Sequence, residues 1–339
     1  MTDGTGYSQG DVPTLSVCMI VRDEERVLER CLLSLPNIDR ELVVVDTGST
    51  DGTLDIARKF GARVSSFFGA NGPDGRIADF SAARNAVLAQ ARGDWVLQID
   101  ADEVIRSGQD LIANLGTRTE PKVNALAVAL HSGDAHWHSV RLFRREAARG
   151  YVSAIHEYLD FSGDMVIEPR IVIVNLPDKK GKETGFDRNV RILRKSLQEN
   201  PRSARLWHYL GNELRSAGQY RNAAQAYGRA QRLGTFTAGL FTSMFYRGVC
   251  LFILEELGAA EAQALALISH SPDRAEGYCL LADVQFCQDR FEQARDNYVA
   301  ARDRPTDPAN SMMPVQVWAF DERPNNQITI INSILESGE

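Results

Sequence analysis

At 339 residues the chain is long enough for about two domains, and 44% hydrophobic with 24% charged residues excludes wholesale disorder. A formal net charge of −7 excludes a protein held to nucleic acid by bulk charge, because that partner needs a basic surface. It leaves room for an anionic ligand held by a few local arginines.

Residues 1–12 are rich in Gly, Ser and Asp, with neither the basic nor the apolar region of a signal peptide. A short disordered N-terminus is expected there. No apolar run approaches the ~18 residues that a membrane span needs. The five cysteines, Cys18, Cys31, Cys250, Cys279 and Cys287, are odd in number and form no Cys-x-x-Cys pair. That argues for a reducing, cytoplasmic setting and against a disulfide framework or a zinc site.

The segment 15–21 (LSVCMIV) reads as a strand covered on both faces, and Val27, Leu28, Cys31, Leu32 and Leu35 follow at helical spacing. Residues 42–45 (LVVV) predict a second buried strand ending at Asp46, before the turn-rich DTGSTDGT and a helix over LDIARKF that stops at Gly61. A strand near 63–68, a Gly/Pro-rich loop at 69–76, a helix over 79–92 and a strand over 95–99 complete the series. Alternating strands and helices predict a Rossmann-like α/β domain with a mostly parallel sheet, whose ligands bind beyond the carboxyl ends of the strands. Asp46 and Asp100 both fall at such ends.

After residue 186 the periodicity becomes helical. Segments starting at Ala204, Phe241 and Ala275 superpose, with the large and small residues of a tetratricopeptide repeat. Trp207, Leu210, Gly211, Tyr227 and Ala230 of the first match Tyr278, Leu281, Ala282, Tyr298 and Ala301 of the third. The middle copy keeps Gly248, Leu251 and Ala260. The last 30 or so residues break the pattern and receive no assignment.

Three features carry chemistry. Asp100-Ala101-Asp102, directly after a buried strand, can chelate a hard cation or divide its work between a metal and a ribose hydroxyl. By itself such a triplet is as often a helix cap. Asp46, ahead of its Gly/Ser/Asp turn, can accept hydrogen bonds from a base or ribose, although a plain turn suits the same residues. Arg84, near the helix start at Asp79, offers a forked cation to a diphosphate, or is an ordinary solvated arginine.

Together the stretches LSVCMIVRDEERVLERCLLSL, VVVDTGSTDGT, DFSAARNAVL and GDWVLQIDADE stand in the order and spacing of family 2 glycosyltransferases. The chain resembles the subgroup of that family with a C-terminal tetratricopeptide domain, which includes bacteriocin S-glycosyltransferases. The resemblance implies a GT-A fold and an inverting transfer from a nucleoside-diphosphate sugar, UDP-sugar being the expected donor. The acceptor would be a peptide or protein, or a cell-envelope glycan. Val21, Asp23 and Asp46 would hold the nucleobase, Asp79 and Arg84 would line the nucleotide, and Asp100 would meet the ribose. Asp102, with Asp100, would hold Mg²⁺ or Mn²⁺. Glu157 would be the base with His156 beside it, following the Arg141–Arg144 run; the plainer reading pairs Glu157 with Arg141 or Arg144.

One departure concerns the strand RIVIVNLPDKKG. Where members of the subgroup often carry a histidine near the metal, this chain has Asn175 and Leu176, while Lys179 and Lys180 could supply charge to the phosphates. His136 and His138 share a strand face around Trp137, a pattern read here as structural or acceptor-binding.

The expected organisation is a disordered 1–12, a GT-A domain over 13–182, helical repeats over 186–306 and a segment of unknown structure over 307–339. The repeats would cradle an acceptor or mediate homodimerisation. The competing reading is a non-catalytic, repeat-based binding protein with a degenerate front domain. A nucleotidyltransferase or a dehydrogenase would need a glycine-rich loop after the first strand, and Arg22-Asp23-Glu24-Glu25 stands there instead.

Overall fold

The computed structural model describes residues 14–36, 40–115, 120, 122–133, 135–178, 183–304, 319 and 322–337. The expected disordered stretch 1–12 lies outside them, as do Lys179 and Lys180. The chain divides into two compact units, Met1–Glu183 and Thr184–Glu339.

The first unit is an eight-stranded sheet of order β3-β2-β1-β4-β7-β6-β10-β5. Its strands are β1 (Leu15–Val21), β2 (Arg40–Asp46), β3 (Arg63–Ser66), β4 (Trp95–Gln98), β5 (Glu103–Ser107), β6 (Val123–Ser132), β7 (Ala135–Arg144) and β10 (Asp164–Asn175). The hairpin β8 (Ala148–Val152) and β9 (Tyr158–Phe161) stands apart. The pairings run parallel from β3 through β4 and between β6 and β10, whereas β7 and β5 are antiparallel to their neighbours. The ends of β1, β2 and β4 therefore share one edge with the start of β5.

Alternation along β1 sorts the core. Val17, Met19 and Val21 pack with Leu28, Cys31 and Leu32 of α1 (Leu28–Ser34) on one face. Cys18 packs with Val45, Val87, Phe143 and Tyr151 on the other. Both faces are thus covered, which is why the strands read as continuous apolar runs. Helix α2 (Thr53–Lys59) ends with Arg58 and Lys59, with Gly61 in the left-handed region just beyond, as its stop signals foretold. Helix α3 (Phe80–Leu88) is shorter than the expected 79–92 and is capped by Asp79, whose carboxylate accepts from the Ala82 amide at 2.9 Å. The short α4 (Gln109–Ala113) lies beside β10.

The described elements of the second unit are all helices. After α5 (Gly185–Glu199), three antiparallel pairs follow: α6 (Ala204–Ser216) with α7 (Tyr220–Leu233), α8 (Thr237–Ile253) with α9 (Leu257–His270), and α10 (Ala275–Phe286) with α11 (Phe291–Arg302). The small-residue positions work by close approach. A Cβ on Gly211 would stand 2.6 Å from the Tyr227 ring, which is fully buried and anchored by its hydroxyl donating to Asn212 at 2.7 Å. Gly211→Ala should therefore cost the helical unit about 1–3 kcal/mol by overpacking. An unchanged urea midpoint, followed by Trp207 fluorescence, would refute that reading.

Among the described residues, the unassigned C-terminal stretch contains a helix, α12 (Glu322–Ser337), which packs on α11. Its Ile331 is fully buried in one cluster with Ala294 and Tyr298. Its Arg323 bonds Asp283 at 2.8 Å. Among the described residues, no helix is long and apolar enough to cross a membrane.

Candidate active site

The carboxyl edge of the sheet carries two groups of functional side chains. The first gathers where β1 and β2 end, in a register that pairs Val21 with Asp46. Asp46 is buried, and its Oδ1 accepts from the Ser49 amide at 2.8 Å. Asp23 adopts a left-handed φ of 52°, its amide donates to Ser49 Oγ at 3.1 Å, and its Oδ1 accepts from the Thr50 amide at 2.7 Å. The Val21 carbonyl accepts from both the amide and the hydroxyl of Thr47. The turn behind Asp46 thus ties the two acidic residues into one corner.

The second group is a chain of alternating charge. Arg84 points from α3 with only 9% of its side chain exposed. Its Nε donates to Glu157 Oε1 at 2.5 Å, and its two terminal nitrogens reach both Asp100 oxygens at 2.9 and 3.3 Å. Arg141 lies 3.6 Å from Asp100 and donates to Glu103 Oε1 at 2.7 Å. Glu103 Oε2 in turn accepts from the Asp100 amide at 2.9 Å. Asp100 is therefore gripped through its side chain by two guanidiniums and through its backbone by Glu103.

Two local irregularities aim these groups. Leu126 pairs with Leu142 but Ala127 with Val140, so Arg141 is the extra residue of a β-bulge, a device that redirects a side chain. Glu157 precedes β9 in a loop where Ser153 and His156 both take positive φ, at 82° and 50°. The Ala154 carbonyl in that loop accepts from the Phe80 amide at 2.8 Å. Asn85, one residue beyond Arg84, bonds both the amide and the carbonyl of Tyr151, so α3 and the β8–β9 hairpin hold each other.

Burial works against the Asp100 carboxylate, yet Arg84 and Arg141 outweigh it and bring its pKa down to about 2. Burial, aided by the charge of Asp100, pushes Glu103 up to about 7 against the pull of Arg141. The two carboxyls, three residues apart, are driven in opposite directions because the guanidiniums outweigh burial at Asp100, whereas burial and the Asp100 charge outweigh them at Glu103.

Of the expected site residues, the structure joins Val21, Asp23 and Asp46 at the first corner, and Arg84, Asp100 and Glu157 at the second. Glu157 meets neither Arg141 nor Arg144, the partners of its plainer reading. His156 adjoins it in the chain. Asp79 spends one oxygen on capping α3 and on Ser81, whose hydroxyl donates to it at 2.6 Å. Asp102 stands between this network and β5, and its carbonyl accepts from the Leu176 amide at 2.8 Å. Asn175 pairs in register with Glu103, so the position where the subgroup often carries a histidine lies beside the acidic turn. His136 pairs across β6–β7 with His131, their rings 4.3 Å apart. Sequence reading missed Arg141 and Glu103 as site residues, although the acidic run DADE and the two arginines of RLFR were there to be weighed.

The donor set limits how a cation could be held. Arg84 donates to both Asp100 oxygens, so a metal shared between Asp100 and Asp102, or a ribose hydroxyl, would use the lone pairs that Arg84 leaves. Among the described residues no group of three or more His, Cys, Asp or Glu side chains converges as a metal cage. An acidic turn of this kind suits a hard cation bound through the Asp102 carboxylate and completed by phosphate oxygens of a ligand, the usual habit of Mg²⁺.

These groups lie at the carboxyl edge of a mostly parallel sheet, and comparison with known proteins identifies the domain that carries them. Residues 16–115 match the family model described as Glycosyl transferase family 2, so the first unit carries a family 2 glycosyltransferase domain, followed by tetratricopeptide-like helices. A TPR repeat-containing protein of Synechococcus elongatus is 32% identical over 225 residues, 62% of this chain and 54% of that protein. The SPbeta prophage-derived glycosyltransferase SunS of Bacillus subtilis is 25% identical over 229 residues, 62% of this chain and 51% of its own. An uncharacterized glycosyltransferase of Rickettsia typhi is 37% identical over 89 residues, 26% of this chain and 28% of its own. The chain spans about half the length of the first two relatives.

Proposed function

We propose that the first unit transfers a glycosyl group, with inversion, from a nucleoside-diphosphate sugar to an acceptor. The observation that carries this reading is the Arg84 guanidinium joining Asp100 and Glu157 at the carboxyl edge of a family 2 domain. The corner of Val21, Asp23 and Asp46 receives the nucleobase, a uracil in the favoured case, and Asp100 meets the ribose. Asp102 holds Mg²⁺ or Mn²⁺, which when bound neutralises charge on the departing diphosphate. Arg84 serves the same charge from the protein side, in a buried setting where electrostatic stabilisation counts most.

Glu157 is the base. Arg84 engages only its Oε1, leaving Oε2 for the acceptor's proton as the sugar carbon gains oxocarbenium character. His156 and the β8–β9 hairpin border the acceptor side. The helical repeats present that acceptor, a peptide or protein, or a cell-envelope glycan, or else join two copies of the chain.

A thermal-shift series of nucleoside diphosphates and nucleotide sugars, with and without Mn²⁺, tests the reading. One nucleotide should stabilise the protein in a metal-dependent way, by RT ln(1 + [L]/Kd). Asp102→Asn should remove the metal dependence, and Asp46→Ala should weaken binding with or without metal. Silence from every nucleotide would favour a binding protein with a degenerate front domain.

A further inference from the structure

The three helical repeats are not equivalent at their seventh position. The first has Leu210 and the third Leu281, each buried and each followed by the small residue of the close approach. The middle repeat has Arg247 there, directly before Gly248. The same repeat has Ala264 where its neighbours have Tyr227 and Tyr298, so a large apolar pair has become an arginine and a small residue.

The surroundings of this arginine are neutral or like-charged. Its Nη1 donates to the amide oxygens of Gln231 at 3.2 Å and Gln263 at 2.8 Å. No carboxylate pairs with it among the described residues, nor with Arg232 on α7. The two guanidiniums converge: a Cβ on Gly228 would stand 3.4 Å from Arg247 Nε and 3.5 Å from Arg232 Nη1. Burial, and then the charge of Arg232, loosens the hold of Arg247 on its proton. Two like charges beside a glycine, one half-buried, are unfavourable without a counter-ion, and a leucine at this position would avoid the conflict.

We propose that Arg247 and Arg232, which meet over the buried Gly228, form an oxyanion site that takes a phosphate group. A phosphate carries about −1.5 to −2 charges at neutral pH, matching two guanidiniums whose forked N–H groups suit its oxygens. Arg232 is exposed, so the anion enters from solvent, and Gln231 and Gln263 hold the Arg247 fork in place. The site belongs to the helical unit and owes nothing to the nucleotide-sugar reading of the first unit.

Hydrogen exchange of the full chain, read by mass spectrometry, localises the effect and separates it from anion binding elsewhere. Inorganic phosphate at about ten times its Kd should slow exchange in peptides spanning 225–250 roughly tenfold relative to chloride at equal ionic strength. Arg247→Leu, which restores the residue of the flanking repeats, should abolish that protection while the helical unit stays folded. Arg232→Gln, a surface change, should weaken it. Adenosine monophosphate run in parallel distinguishes sources: protection at lower concentration than with the free ion assigns a nucleotide, the reverse the free ion. Equal protection in wild type and Arg247→Leu, or no protection in the wild type, would overturn the proposal.

Discussion

Arg84→Ala is expected to lose about 3–5 kcal/mol of folding stability, the usual cost of removing one partner from a buried ion pair. Two features make this change costly. The guanidinium serves Asp100 and Glu157 at once, and only 9% of its side chain is exposed, so water cannot replace it. The pH dependence gives an independent signature. Asp100 is held at about 2 against an ordinary 3.8, so its ionised form contributes stability that is fully present above pH 3.8 and lost as pH falls through about 2. Arg84 supplies much of that depression, so the gap between wild type and variant should be complete near neutrality and shrink as the solution is acidified. Arg84→Lys keeps a charge but cannot fork to both carboxylates, and should fall between the two. Urea unfolding at several pH values measures all of this; a loss below about 1 kcal/mol at pH 7 would mean the network is ornamental.

Glu157→Gln separates catalysis from structure. The amide keeps the shape and can still accept from Arg84 Nε through its oxygen, so the fold and donor affinity should hold. Turnover should fall by roughly 10²–10⁴, the scale associated with losing a general base. Release of nucleoside diphosphate from the donor supplies the rate, and equilibrium titration of the nucleotide supplies the affinity. A variant within threefold of wild type would move the base to another residue. A matching loss of donor affinity would mean Glu157 acts mainly by fixing Arg84.

Much of this molecule is legible in its sequence, for local reasons. Buried parallel strands must be apolar on both faces, so LSVCMIV and LVVV announce themselves, and Asp46 and Asp100 mark their ends. Asp79 and Gly61 are helix signals that act within a few residues. The repeats are visible because close helix approach demands a small residue at Gly211 and Ala282 and an aromatic at Tyr227 and Tyr298. Helix α12 was not legible: its run of β-branched residues around Ile328 and Ile331 is a poor helix former by itself, and packing on α11 decides its state.

The candidate site divides along the same line. The sequence by itself determined which residue types stand at the strand ends and that Arg84, Asp100, Asp102 and Glu157 were the ones to weigh. It could not place Arg84 between Asp100 and Glu157, which lie 16 and 73 residues away, nor show that Asp100 is gripped by guanidiniums. Arg141 and Glu103 enter only because β7 lies beside β4 and bulges at Arg141. Periodicity, capping and turn chemistry act over a few residues and leave their marks in the chain. Strand neighbours, bulges and buried ion pairs are chosen by the packing of the whole sheet, where a charge removed from water must find its partner wherever the fold brings one.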